Sequence, residues 1–295
     1  MQAITDFNNI TPNKLTQFPA SSYGMECNLT DSVMKTGTKP IMTFRDLSKS
    51  FDGRKVLDSV SGEIRCGEVI LLRGNNGSGK TTLVNILTGC LAPDAGKISI
   101  CNERHSESFS FPRSWWRSIN PWQHFTPERM AQSGTSRVWQ DIRLFSSLPL
   151  VENIAVASRE LAETPWSAIW RTRRSSRLLS SIRADALRRL ELLGLSDRES
   201  SSGDRVSLGQ SKRVAIARSL QAHGRVLMMD EPLSGLDKAG IDTVLETLWK
   251  TVRKFRMALV IIEHSLNAHY LRPLVNTVWE LSDGRITSFL SLIHI

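Results

Sequence analysis

No window of the 295 residues approaches 18 consecutive apolar residues, so the chain is not expected to cross a membrane by itself. The first forty residues have no basic start followed by an apolar run, and a secretory leader is not expected there. Cysteine is scarce and unpatterned. Cys27, Cys66, Cys90 and Cys101 form no C-x-x-C pair, and no histidine stands at zinc spacing from them. This argues against a disulfide framework or a thiolate metal centre and leaves reduced thiols, whether buried or exposed. No internal repeat is visible. The length suits one large domain, or one domain with a subdomain.

Negative charge is in deficit. The formal net charge is +9, and much of the surplus lies between Arg113 and Arg189, including Arg171, Arg173, Arg174, Arg177, Arg183, Arg188 and Arg189. Three readings compete for it: a solvated helix face, a site for anionic lipid headgroups, and a nucleic-acid patch. No aromatic-interleaved RNA motif accompanies these arginines, so the nucleic-acid reading ranks last and no nucleic-acid partner is expected.

The most informative stretch is residues 68–84. A short apolar run (69–72) ends in a glycine-rich turn, and a helical pattern opens at Lys80. Gly74, Asn75, Asn76, Gly77, Ser78, Gly79, Lys80 and Thr81 fit G-x-x-x-x-G-K-[ST] at every fixed position, with Thr82 next on the helix. Glycines let backbone N–H groups converge on phosphate oxygens, and the helix N-terminus adds partial positive charge. Lys80 can reach the β- and γ-phosphates, and the Thr81 hydroxyl can hold Mg²⁺. A glycine-rich turn that binds nothing is the bland alternative. The strand before it and the helix after it weigh against that.

Along the chain, residues 1–40 are polar and aperiodic and read as a mobile tail, with Met25, Met34 and Met42 as alternative starts. Strands are expected at 41–44, 56–64 and 69–72, the first two as an antiparallel edge, with a turn at Asp52-Gly53. Phe51 either stacks on a base or fills the small sheet. A helix over 81–88 ends near Gly89, and a turn at 93–96 leads to a strand over 97–101. Residues 103–136 look irregular. They hold Trp115, Trp116 and Trp122, read as a packed surface insertion or a partner contact. A strand is expected at 137–140. Helices follow over 150–193, with Leu179, Ile182, Ala186, Leu190 and Leu193 on one face. Strand and helix then alternate again: helix 210–220, strand 225–229, helix 238–254, strand 258–262, and a closing hairpin over 277–289.

The apolar run Val226, Leu227, Met228, Met229 ends in Asp230, the position of a Mg²⁺-linked carboxylate beside a phosphate loop. Glu231 follows and could act as general base on a water. An ordinary acidic strand end is the alternative. His264 closes the neighbouring apolar strand, where a structural role competes with a catalytic one.

At Val206-Ser207-Leu208-Gly209-Gln210, followed by a basic and apolar helix, the sequence resembles the signature motif of ABC ATPases, with Leu208 where glycine is usual. The phosphate loop, Gln140, the signature, Asp230-Glu231, Ser234 to Asp237, and His264 occur in that family's order over residues 41–289. The resemblance implies an α/β fold: a P-loop NTPase (RecA-like) core from 41–140 and 206–289, an antiparallel β subdomain, and an inserted helical subdomain at about 141–205, with a short tail at 290–295. It implies ATP and Mg²⁺ as ligands. Phe51 would stack on adenine, and Gln140 would join Mg²⁺ and the attacking water. Ser207 and Gly209, with Gln210 beside them, would meet the γ-phosphate held by the opposite subunit. Asp237 would lie at the dimer seam, and His264 would steady γ-phosphate and water. Deleting residues 1–38 is expected to leave ATP binding intact.

Residues 139–154, from Trp139-Gln140 to Glu152-Asn153-Ile154, look like the ATP-binding subunit of branched-chain amino acid importers, as does the basic segment 166–189. The stretch 113–124 and the region 267–274 depart from that subfamily. The implied partners are membrane-spanning permease subunits and a second ATP-binding subunit, identical or not, at the cytoplasmic face of the plasma membrane. A soluble ABC ATPase acting on ribosomes or nucleic acid is the alternative. The short spacing from Gln140 to Ser207 leaves room for a compact helical subdomain and none for a long coiled coil.

Overall fold

Short, wholly apolar runs and long alternating runs lead this chain into two different sheets. A computed structural model describes residues 39–101, 106–112, 124–163 and 173–290. The tail at 1–38, the end at 291–295 and most of the tryptophan-rich stretch (113–123) lie outside the described residues.

The alternating runs form an antiparallel sheet in the order β2-β1-β4-β5. Strands β1 (Pro40–Phe51) and β2 (Arg54–Arg65) pair directly, closing at Phe51 opposite Arg54. The two residues between them, Asp52 and Gly53, have φ of 48° and 79°, as a two-residue hairpin turn requires. Strand β4 (Ala95–Cys101) pairs with β1 on one side and with β5 (Ser106–Phe111) on the other.

Residues 103–136 are expected from sequence to be irregular, and their described part is not. Besides β5 they hold helix α2 (Pro127–Gln132) and the start of strand β6 (Thr135–Val138), which ends two residues before Gln140. Serines hide the period of two in β5. Phe109 is buried and Phe111 half-buried, both edge-on to Phe125, with ring centres 5.1 and 5.2 Å away. Glu107 on the same face pairs with Arg129 of α2 at 3.1 Å.

The wholly apolar runs form the second sheet, in the order β10-β9-β3-β8-β7-β6. Strands β3 (Val69–Arg73), β8 (Ala258–Ile262), β7 (Val226–Asp230) and β6 are parallel neighbours, and β9 (Thr277–Ser282) runs parallel to β3. β10 (Arg285–Leu290) turns back antiparallel on β9. A strand buried on both faces has no polar side, which is why these runs show no alternation of polarity. Their side chains still alternate between two cores. Ile70, Leu72, Val226, Met228, Val260 and Ile262 face the antiparallel sheet and helix α1 (Lys80–Leu87). Val69, Leu71, Leu227, Met229, Leu259 and Ile261 face helices α6 (Leu208–Gln221) and α7 (Lys238–Phe255). Ile241, Val244 and Leu248 form the i, i+3, i+7 stripe with which α7 covers that face.

A third cluster joins α3 (Leu150–Ala155) and α5 (Arg173–Leu192) to the far face of α6 through Leu150, Ile154, Ile182, Ala186, Leu190, Val214 and Ala217. Short helix α4 (Arg159–Glu163) lies between α3 and α5 in the chain. The buried stripe of α5 begins at Ile182. Leu179, expected on it, is 55% exposed, because the packed row runs through Leu178, Ile182, Ala186 and Leu190 at i, i+4 spacing and residue 179 lies off it. Arg189, counted from sequence with the surface charge, is buried and donates from Nε to Gln221 Oε1 at 2.7 Å. No described helix is long and apolar enough to cross a membrane.

Candidate active site

The parallel strands stop level with one another. Leu72 pairs with Ile262, Ile262 with Asp230, and Val138 with Met229, so four loops leave from one edge. Ligands bind at this carboxyl edge in open α/β sheets. The edge receives the loop 74–79, Glu263-His264, Asp230-Glu231 and Trp139-Gln140.

In the phosphate loop Gly74, Gly77 and Gly79 all have positive φ (146°, 78° and 101°). At Gly74 a Cβ would stand 2.3 Å from the Leu281 carbonyl oxygen, so the loop can pass only as glycine. Gly79 caps α1 and packs on Val56 of β2, which sets the β1–β2 hairpin, with Phe51 at its tip, against the loop. Phe51 is 44% exposed, with Lys49 Nζ 5.5 Å from its ring centre. Lys80 Nζ donates to the carbonyls of Gly74 (2.7 Å) and Asn75 (2.9 Å). Asn75, Asn76 and Gly77 are exposed, as is Thr81, and Thr82 is half-buried. The Ser78 hydroxyl is buried with no partner among the described residues. An orphaned buried hydroxyl inside a ring of positive-φ glycines fits a loop whose remaining partner is an anion.

Asp230 sits at the end of β7 with Arg137 Nη2 at 3.5 Å from Oδ2. Burial disfavours the charged form of Arg137, and the Asp230 carboxylate acts against that. Glu231 follows at φ 49°, a left-handed conformation uncommon for a side chain of this size. Its N–H donates to the Ile262 carbonyl (2.8 Å), and its carboxylate accepts from Gln140 Nε2 (2.9 Å). Thr81, Asp230 and Gln140 offer a hydroxyl, a carboxylate and an amide oxygen, a donor set suited to a hard cation such as Mg²⁺.

Two buried charges hold this edge from behind. Lys212 of α6 donates from Nζ to the carbonyls of Ser234 (2.7 Å) and Glu231 (3.3 Å). Glu263 accepts from the N–H groups of Leu233 (3.0 Å) and His264 (3.1 Å). Burial pushes the Glu263 carboxyl up from its ordinary value and the Lys212 ammonium down, while the nearby Glu263 and Glu231 charges favour the ammonium. His264 caps helix α8 (Ser265–Leu271) at the same edge, its side chain exposed.

Ser207, Gly209, Gln210 and Asp237 form a second group. Ser207 and Gln210 close a reciprocal capping box at the start of α6, with Gln210 Oε1 accepting from Ser207 N at 2.9 Å. Leu208 is exposed and lies against Gly235, Gly209 faces Leu236, and Asp237 caps α7 by accepting from Gly240 N at 2.9 Å. Among the described residues, no hydrogen bond or ion pair joins this group's side chains to the phosphate loop. Lys212 of α6 links it to the first group through the Glu231 and Ser234 carbonyls.

Sequence reasoning missed Arg137, Lys212 and Glu263. A signal existed for two of them. Lys212 shares the spacing of buried Ile216 and Leu220, and Glu263 directly continues the apolar run of β8.

The family model described as ABC transporter matches residues 57–234. The chain belongs to the ABC transporter family. As an ATPase cassette of that family it is 29% identical over 230 residues to the high-affinity branched-chain amino acid transport ATP-binding protein LivG of Salmonella typhimurium, covering 78% of this chain and 84% of that one. It is 30% identical over 239 residues to the methionine import ATP-binding protein MetN of Geobacillus kaustophilus, covering 81% of this chain and 61% of that one. Its fold is similar to the ADP-conformation crystal structure of an ATP-binding cassette of an ABC transporter, with TM-score 0.67 and 24% identity over 86% of this chain and 92% of that one.

Proposed function

We propose that this cassette hydrolyses ATP to power a membrane importer of amino acids or similar small solutes, docked on permease subunits at the cytoplasmic face of the membrane. The observation that supports the catalytic part is the Gln140–Glu231 contact at the carboxyl edge of the sheet, which pairs a carboxylate with an amide there. Similarity to LivG and MetN supports the choice of solute class.

In this reading the amides of residues 74–79, Lys80 and the α1 N-terminus bind the phosphates, and Phe51 stacks on adenine. Thr81, Asp230 and Gln140 would hold Mg²⁺, which when bound neutralises charge on the β- and γ-phosphate oxygens. Glu231 takes a proton from water as its oxygen bonds to the γ-phosphorus. The bond to the β–γ bridging oxygen breaks, and ADP and phosphate leave. His264 steadies the γ-phosphate. Ser207, Gly209 and Gln210 contact the ATP held by a second ATP-binding subunit, identical or homologous, with Asp237 at the seam. ATP thereby closes the dimer and hydrolysis opens it.

The test is affinity purification of the tagged chain from mildly solubilised membranes, with mass spectrometry of co-eluting proteins. Multi-span permeases are expected, with or without a second ATP-binding subunit. Ribosomal proteins or nucleic acid in the soluble fraction, with no permease, would overturn the transport reading.

A further inference from the structure

Arg137 stands in β6, three residues before Gln140, and only 5% of its side chain is exposed. Four groups surround its guanidinium, one of them the Cys90 side chain within hydrogen-bonding reach. The Asp230 carboxylate at the end of β7 lies 3.5 Å away. Asn85 Oδ1, on the helix that rises from the phosphate loop, accepts a hydrogen bond from Nη1. The Trp139 ring lies across the guanidinium, its centre 3.6 Å from Cζ. That ring is itself 51% exposed, so it covers the buried cation on one side and faces outward on the other.

A buried guanidinium is costly unless paired and hydrogen-bonded, and a position needed only to fill space would hold an apolar side chain. A flat, forked head can hold a carboxylate and an amide oxygen in fixed relation while stacking on an indole, which an ammonium cannot do. Asp230 presents Oδ2 to Arg137, which leaves Oδ1 as its other acceptor.

We propose that Arg137 is a positioning residue. It orients the Asp230 carboxylate for the divalent cation and, through Trp139, locks that carboxylate to the Gln140 loop. This rests on the reading of Asp230 as a metal-holding carboxylate. Groups behind a metal ligand act by fixing its direction, and their loss typically weakens metal affinity by about 10–100-fold.

The test measures Mn²⁺ affinity by electron paramagnetic resonance, using the full chain saturated with ATP. Nucleotide affinity is measured separately with a fluorescent ATP analogue in the absence of metal, and thermal melting verifies folding. Arg137→Lys is expected to weaken Mn²⁺ binding by about 10–100-fold with nucleotide affinity retained. Trp139→Leu, a change at a half-exposed ring that leaves folding intact, is expected to weaken it to a smaller degree. Mn²⁺ affinity equal to or tighter than wild type in Trp139→Leu and in folded Arg137→Lys would overturn the inference. Asp230→Asn separates the two levels. Its loss of Mn²⁺ binding supports the underlying site, whereas wild-type binding in that variant would overturn the site reading itself.

Discussion

Gln140 and Glu231, 91 positions apart in the chain, meet side chain to side chain at 2.9 Å. The contact exists because β6 and β7 are parallel neighbours with Val138 opposite Met229, so that Gln140 and Glu231, each two residues further on, emerge together. Glu231 is held there against its own preference. A non-glycine residue in the left-handed region costs about 1–2 kcal/mol, and such strain persists where surrounding bonds over-determine it. Here the Ile262 carbonyl and Lys212 fix the Glu231 backbone from opposite sides.

Glu231→Gln should therefore lower ATP turnover by about 10²–10⁴-fold without changing the melting temperature, and should accumulate ATP-bound dimers. Glu231→Gly should be equally inactive yet melt no lower than wild type, since glycine takes φ 49° without strain. Phosphate release, size-exclusion chromatography with ATP, and thermal melts check these outcomes. Wild-type turnover in Glu231→Gln would remove Glu231 from the role of base.

Much of this architecture was legible because its signals are local. A four-residue apolar run before a glycine-rich turn fits a strand feeding a phosphate loop, and the runs in β7 and β8 fit strands buried on both faces. The capping box at Ser207 and Gln210 is likewise written within four residues. What stayed hidden depends on neighbours brought from far along the chain. Strand β5 was lost because serines break the contrast on which a period of two is recognised. Leu179 and Leu178 both have helical spacing from Ile182, and spacing alone does not say which of the two rows, i, i+3 or i, i+4, meets the cluster; the fold packs Leu178. Sequence reasoning gives Arg137, Lys212 and Glu263 no role and counts Arg189 with the surplus positive charge, since only the fold shows what pairs with them.

Glu263 makes stability depend on pH. Its folded carboxyl titrates above the ordinary value of 4.5, so between that value and the raised one the folded chain keeps a proton that the unfolded chain has released. Stability from this group is full below 4.5 and falls as pH rises through the window. His223, pushed below 6.5 by partial desolvation and by the nearby Arg189 and Arg159 charges, acts in the opposite direction just under that value. Asp58 and Asp94, held below 3.8 by hydrogen bonds from basic side chains, lose their contribution only in stronger acid. All three are common to wild type and Glu263→Gln, so the difference between the two chains isolates Glu263. Urea midpoints at pH 5, 6 and 7 should show the variant gaining on wild type as pH rises. Parallel curves would mean that Glu263 stays ionised throughout.

Asn153 explains a feature of the importer-like segment without appeal to the transported solute. It is fully buried in α3. Its Oδ1 accepts from Phe145 N (2.8 Å), and its Nδ2 donates to the carbonyls of Phe145 (3.0 Å), Leu148 (2.9 Å) and Pro149 (3.3 Å). One amide thus secures the loop that leads from Gln140 into the helical block. Leucine has similar volume but leaves the Phe145 N–H unpaired and removes three bonds to carbonyls that keep their backbone N–H partners. A buried polar group left unpaired costs about 1–3 kcal/mol, and each lost bond adds to it. Asn153→Leu should lose about 3 kcal/mol in urea unfolding, while the folded fraction retains ATP affinity, because the phosphate loop and β7 are untouched. Asn153→Asp should fare no better, since it keeps the acceptor, loses the donors and buries a charge. A loss below about 1 kcal/mol in both variants would mean that solvent reaches residues 145–149, and that the asparagine is there for something other than packing.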